Sequence, residues 1–146
     1  MSAEKKYPLP DLLEDCFIFL MAKVYQKAHS NFKRQLQQYG LTPMRHLVLE
    51  ALWDEEGLTA GEIARRLVLD NATLSGILDR MSEKGWVLKA TDNTDKRFIR
   101  IYLTDKAKKL KPSILAEREN SNEEILGSLN LEEKVLLKRL LKDIRG

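Results

Sequence analysis

Asp95-Lys96-Arg97 sets a carboxylate two residues before a guanidinium, with an ammonium between them. Such a trio suits a polyanionic partner. The carboxylate can hold the guanidinium by a charge-assisted hydrogen bond, and the cation then meets phosphate or a negative groove. Taken alone, the same three residues also fit a solvated turn with a weak local ion pair. A second polar set, Asn71, Thr73 and Ser75, stands upstream, with Gly76 and Arg80 beside it. Asn pairs bidentately with adenine, and Thr or Ser hydroxyls accept from or donate to several bases. Gly76 reads no base edge, and Arg80 is placed to meet phosphate. Lys89, Lys96 and Arg100 are further candidates for phosphate contact, Arg100 with a solvated position as its alternative. One of Arg65 and Arg66 is expected to face a nucleic-acid backbone, with a plain solvent face as the alternative.

Other chemistries find less support. The chain lacks a Gly-rich phosphate loop, a metal motif and a nucleophile next to a base, so no enzyme is expected. His29, His46 and Cys16 stand at no recognisable ligand spacing, so neither a metal nor a cofactor is expected. With one cysteine there is no internal disulfide. The N-terminus Met1-Ser2-Ala3-Glu4-Lys5-Lys6 lacks the apolar run of a signal peptide, and no stretch approaches a membrane span. These features predict a soluble, cytoplasmic protein with no membrane partner. A net charge of +3 over 146 residues points only weakly to a polyanion.

The elements that must position these residues are mostly helices. Apolar residues at spacings of three and four, from Leu13 through Phe17, Leu20, Met21 and Val24 to Leu36, predict one amphipathic helix from Leu12 to about Gln38. Gly40 ends it, and Thr42-Pro43 starts a second helix with a hydroxyl cap and proline at its first position. Leu47, Val48, Ala51 and Leu52 are its expected buried stripe, and Glu55-Glu56-Gly57 its stop. Thr59-Ala60-Gly61-Glu62 is a capping box for a short third helix. Asp70 caps a fourth, with Leu74, Ile77, Leu78 and Met81 inward. Trp86–Ala90 and Phe98–Leu103 read as two strands around a turn at Asp92–Arg97. Thr104 is expected to cap a fifth helix, with Pro112 as a candidate kink. Asn130-Leu131-Glu132-Glu133 imitates a capping box for the last, where Leu136, Leu137, Leu140, Leu141 and Ile144 line one side.

Two helices joined by a few residues and followed by a hairpin make a winged helix-turn-helix. The fold class is therefore mainly α with a small β-hairpin. A DNA-binding lobe is expected over residues 41–103, and dimerisation helices over 8–40 and 104–146. Long apolar stripes need a partner, and a second copy of the same helices supplies one; an intramolecular bundle is the alternative.

Around the wing the residues form a signature. Asp95-Lys96-Arg97 is followed after five residues by Leu103-Thr104. With it stand Leu58-Thr59, Glu62-Ile63-Ala64, Asp70, Thr73-Leu74, Leu78-Asp79-Arg80, Lys84-Gly85-Trp86-Val87 and Asp92, and Leu41-Thr42-Pro43 precedes the second helix. From about Pro8 to Arg145 the chain resembles the MarR family of bacterial transcriptional regulators. The resemblance implies a homodimer on double-stranded DNA, at a pseudo-palindromic operator, with repression the usual outcome. It departs from the pattern at Gly76, where relatives carry a base-reading arginine or a proline. Specificity is then expected to lean on Asn71, Thr73, Ser75, the wing and DNA shape.

The resemblance also implies release of DNA by a small molecule. Phe17, Met21, Tyr25, Phe32, Met44, Arg45, His46 and Leu49 fall in the zone where such pockets form, and their rings and thioethers suit an aromatic or acyl effector. Arg45 offers a fork for a carboxylate, and for each apolar member plain core packing is the alternative. Two further readings stay open. Cys16 is similar in position to the thiol of a peroxide-sensing branch, though Glu14 and Asp15 precede it and the branch's tyrosines have no aligned counterpart. A winged helix used only for protein contact is the other.

Overall fold

The computed structural model describes residues 10–146. Residues 8 and 9 of the first expected dimerisation segment, and the N-terminal Met1–Lys6 stretch, lie outside them. The chain divides into two units. One takes the residues up to Asn31 with Asn120–Gly146, and the other is Phe32–Glu119. Helices α2 (Phe17–Gln37) and α6 (Asp105–Ile125) contribute residues to both.

The larger unit contains α3 (Pro43–Asp54), β1 (Leu58–Thr59), α4 (Ala60–Leu67), α5 (Asn71–Glu83), β2 (Val87–Thr91) and β3 (Ile99–Leu103). Its helices start where local side chains satisfy the free amides of the first turn. The Thr42 hydroxyl accepts from Arg45 N at 3.3 Å, and Pro43 fills the first helical position. Thr59 and Glu62 make the reciprocal capping box. Asp70 accepts from Thr73 N at 2.7 Å. Helix α4 ends with Val68 in the left-handed region, at φ 56° and ψ 49°, where its amide bonds to Ala64 O.

The expected hairpin is present, and each strand starts one residue later than the residue pattern suggested. Strand β3 pairs antiparallel with β2, Lys89 opposite Ile101. The two-residue strand β1, not foreseen, pairs on the other side of β3, with Leu58 opposite Ile101. Leu36, Val48, Leu49, Leu52, Ile63, Leu74, Leu78, Met81, Trp86, Ile101 and Leu103 share one core. Each aliphatic side chain fully buried there contributes about 1.5–3 kcal/mol. The Leu103-Thr104 pair has a physical role here. Leu103 enters the core, while the Thr104 hydroxyl donates to Gly85 O at 2.6 Å and accepts from Ala107 N at 3.3 Å, closing the start of α6.

One expectation for α3 is corrected: Leu47, placed in the buried stripe, is 41% exposed. Leu49, a candidate for the effector pocket with core packing as its alternative, is fully buried in the core. The stripe of α3 runs through Val48, Leu49, Ala51 and Leu52, one step round the helix from the expected line.

In the smaller unit the single helix expected from Leu12 is broken. A short α1 (Asp11–Glu14) ends at Asp15; the Cys16 amide bonds back to Leu13 O, and its carbonyl accepts from Leu20 N as α2 begins. Aspartate is a weak helix former because it competes for nearby backbone donors. Helix α7 (Leu131–Arg145) starts at the Asn130/Glu133 capping box. Helix α6 continues through Pro112 without interruption. Buried Asn31 accepts from Ser121 Oγ at 3.2 Å, and Lys134 pairs with Glu123 at 2.8 Å. Leu12, Phe17, Ile18, Leu20, Met21, Val24 and Tyr25 on α1–α2 stay exposed, as do Leu131, Val135, Leu136, Leu140, Leu141 and Ile144 on α7.

Candidate nucleic-acid interface

Helix α5 turns Leu74, Leu78 and Met81 into the core, which leaves Asn71, Thr73, Ser75, Gly76 and Arg80 exposed. At 3.6 residues per turn, Ala72 and Gly76 fall at the middle of this outer face. Gly76 has an ordinary φ, and a methyl group built there would touch nothing within 4 Å. The fold therefore does not require glycine at this position. The face presents two small residues flanked by polar ones.

The wing tip is held by its own side chains. Asp92 accepts from Thr94 N at 3.1 Å, and Asp95 accepts from Arg97 N at 3.1 Å. Arg97 grips Asp95 with both arms of its guanidinium, Nε to Oδ1 at 3.0 Å and Nη2 to Oδ2 at 2.8 Å. This grip lowers the Asp95 pKa, and Asp95 raises that of Arg97. The Arg97 side chain remains 85% exposed, so it is aimed but not used up. Lys96 is exposed beside it.

Several cations prove to be committed elsewhere. Arg100, a candidate phosphate contact, is an internal brace: Nη1 donates to Gly57 O at 2.8 Å, while Nε and Nη2 donate to Asp92 Oδ2 at 3.2 Å. The Asp92 pKa is lowered first by the Thr94 amide and further by Arg100. Arg66 pairs with Asp54 and Glu55 of the α3 end. Lys89 on β2 pairs with Asp79 on α5, which ties the wing to that helix.

Arg65 differs from Arg66. It makes no ion pair among the described residues, and it lines an open groove of about 490 Å³ with Thr59, Ala60, Gly61, Asn71, Arg97, Phe98 and Ile99. The groove thus gathers two guanidiniums, one amide and an exposed aromatic ring from α4, α5 and the wing. Sequence reasoning singled out Asn71 and Arg97 and left Arg65 against Arg66 open. It missed Phe98, which was assigned to a strand; the preceding turn residues were the available signal.

The effector candidates are spread over the two units. Phe17, Met21 and Tyr25 lie in the smaller one, where Tyr25 stands 5.6 Å from the His29 ring. In the larger one Phe32 meets the His46 ring edge-on at 4.9 Å. Met44 is partly exposed, and Arg45 points back to Gly40 O at 3.5 Å. His46 is buried. Its Nε2 lies 2.9 Å from Glu50 Oε1, out of line for a hydrogen bond, so neither ring nitrogen has a hydrogen-bond partner among the described residues. Glu50 is held in turn by Arg118. Burial lowers the His46 pKa, outweighing the upward pull of Glu50. Cys16 is half-buried at the α1–α2 break, and no hydrogen bond to its sulfur is formed among the described residues.

Comparison with known proteins gives concordant matches. The MarR family model matches residues 39–97. The HTH-type transcriptional regulator MgrA of Staphylococcus aureus is 30% identical over 129 residues, covering 86% of this chain and 84% of MgrA. The HTH-type transcriptional regulator TtmR of Methylorubrum extorquens is 43% identical over 91 residues, 60% of this chain and 47% of TtmR, so the match spans about half of that relative's length. Among solved structures, a probable transcriptional regulator from Pseudomonas aeruginosa superposes with a TM-score of 0.84 at 24% identity, over 90% of this chain and 98% of that one.

Proposed function

Because the chain belongs to the MarR family of transcriptional regulators, we propose that it binds a pseudo-palindromic duplex DNA operator as a homodimer, acts as a repressor, and is released by a small aromatic or acyl effector. One observation carries the DNA reading. Arg65, Asn71, Arg97 and Phe98, from three separate elements, converge on one open groove beside the exposed face of α5. Arg65 is without an ion pair among the described residues and Arg97, though clasped by Asp95, stays exposed, and two accessible guanidiniums at such a place suit a phosphate backbone better than a protein-docking surface. Lys96 and Arg80, both exposed, extend the cationic rim, while Lys89 is paired with Asp79. The second copy is supported by the apolar faces of α1–α2 and α7, which stay open to solvent in a single chain.

In this mechanism the dimer spaces its two copies of α5 to meet successive major grooves, about 34 Å apart. An effector that prefers the unbound spacing lowers operator affinity, and by linkage the operator lowers effector affinity by the same factor. The test is duplex binding by the purified chain at several salt concentrations, with its mass in solution measured alongside. Tight binding of a two-fold-related site by a dimer supports the reading. A monomer, or binding that never discriminates between sequences, refutes it.

A further inference from the structure

His46 on α3 is a buried titratable group that the nucleic-acid interface leaves unused. It is 3% exposed. Phe32 of α2 meets its ring edge-on, and Trp53 stands 6.2 Å away on its own helix. Both ring nitrogens lack a hydrogen-bond partner among the described residues, and folded proteins leave few buried polar atoms in that state. Two charged groups act on the ring. Glu50, one turn along α3, brings Oε1 to 2.9 Å from Nε2, and Arg118 of α6 donates to that same Oε1. Beside them on α6, Glu119 accepts from the second arm of Arg118 at 3.1 Å, and Glu117 accepts from Gln38 at 3.2 Å. From α2 the ring meets Phe32, which carries no charge. Burial lowers the His46 pKa, Glu50 opposes that shift and Arg118 adds to it, so the ring is uncharged at neutral pH.

One carboxylate oxygen thus has two competing cations within reach. While His46 is neutral, Glu50 Oε1 belongs to Arg118 and ties α3 to α6. A protonated imidazole carries two N–H donors and a positive charge that cannot stay unpaired in the core. Its nearest acceptor is the same Oε1. Turning that carboxylate into line with Nε2 takes it from Arg118, and the two cations repel. The tie bears on the interface because the first turn of α6 is fastened to the ends of α5 and the wing. Thr104 N donates to Trp86 O at 3.2 Å, the Thr104 hydroxyl donates to Gly85 O at 2.6 Å, and Lys106 Nζ sits 4.3 Å from the centre of the Trp86 ring. We propose that His46, Glu50 and Arg118 form a proton-responsive latch between α3 and α6, and that protonation of His46 opens it and lowers affinity for duplex DNA. This rests on the duplex-DNA reading above. Proton and DNA then oppose each other, and by linkage each weakens the other by the same factor.

The test measures affinity of the full chain for a duplex it has selected from a random library, at fixed salt, from pH 7 to about 5. Circular dichroism follows folding at each pH. Wild-type affinity is expected to fall roughly fivefold or more across this window. The sign is diagnostic, because added positive charge ordinarily strengthens binding to phosphate. His46→Phe removes the titrating ring and should abolish the fall. Arg118→Gln removes the tie itself, so its affinity should be below wild type already at pH 7 and should fall no further in acid. His29→Gln changes the other histidine of the chain and should keep the wild-type profile. The imidazole resonances of the wild type are then titrated by NMR with and without the duplex, the His29→Gln spectrum assigning the two rings. His46 should take its proton at a lower pH in the complex than in the free protein. This last measurement needs no variant at His46, so it decides the matter even where His46→Phe does not fold. The proposal is overturned by a wild-type affinity that is flat or rises in acid, by a fall that persists in His46→Phe, or by a His46 titration that DNA does not shift. It is also overturned if the fall coincides with loss of helical signal, since His46 then acts on stability alone. A wild type that selects no sequence at pH 7 overturns the DNA reading itself, whereas selective binding indifferent to His46 overturns only this inference.

Discussion

Val68 offers the sharpest test of the backbone reasoning. It is a β-branched residue held at φ 56°, ψ 49° in the turn between α4 and α5, and its side chain is 89% exposed. An L-residue other than glycine pays about 1–2 kcal/mol in the left-handed region. Burial returns almost nothing to an exposed valine. Asparagine visits this region more readily, because its short amide bonds locally. Val68→Asn should therefore stabilise the protein by about 1 kcal/mol. Val68→Gly relieves the same strain but makes the unfolded chain more flexible, which takes back roughly 0.5–1 kcal/mol. The expected order is Asn, then Gly, then Val. Urea unfolding measures it: the midpoint should rise while the slope stays constant, since the surface exposed on unfolding is unchanged. An asparagine variant no more stable than wild type would refute the reasoning, because nothing else in the geometry favours valine there.

Four other outcomes follow from the interface and the core. Gly76→Ala should stabilise α5 by about 1 kcal/mol, since the new methyl meets open space in the free protein; a lower melting temperature would show hidden strain. Arg97→Ala should weaken binding to all duplexes if the guanidinium meets phosphate, and reduce the slope of log affinity against log salt by about one; an unchanged slope would remove it from the backbone. Arg100→Gln should leave that slope alone and instead speed amide hydrogen exchange in β2 and β3, because Arg100 ties the wing to Gly57 and Asp92. His46 makes stability depend on pH with a definite sign. Its folded pKa lies below the ordinary 6.5, so the unfolded chain binds the extra proton. Its contribution is complete above pH 6.5 and is lost as pH falls through the lower folded value, and His46→Phe should flatten urea stability across that window. A wild type with flat stability from pH 7 to about 5 would contradict the burial of an uncharged ring.

The sequence by itself determined the features that depend on residues close along the chain. Thr42-Pro43, Thr59 with Glu62, Asp70, Thr104 and Asn130 with Glu133 each start a helix through bonds spanning three residues, and all were legible. The Asp95–Arg97 clasp spans two, and it too was legible. The apolar spacing of α5 was enough to separate its buried side from its polar face. Only the tertiary structure decided what depends on distant segments. Strand β1 exists because Leu58 meets Ile101, and two residues carry no periodicity of their own. Arg100 became a brace because Gly57 and Asp92 arrive beside it. Arg65 and Arg66 are chemically identical neighbours, and only the acids at the end of α3 neutralise one and leave the other open. Leu47 falls outside the buried stripe and Leu49 within it because a helix in a small lobe is covered from several directions at once, and one-dimensional spacing does not give the angle of cover. Short-range bonds are written in the local sequence. Which cations stay free, and so where a phosphate backbone can bind, is set by how the elements meet.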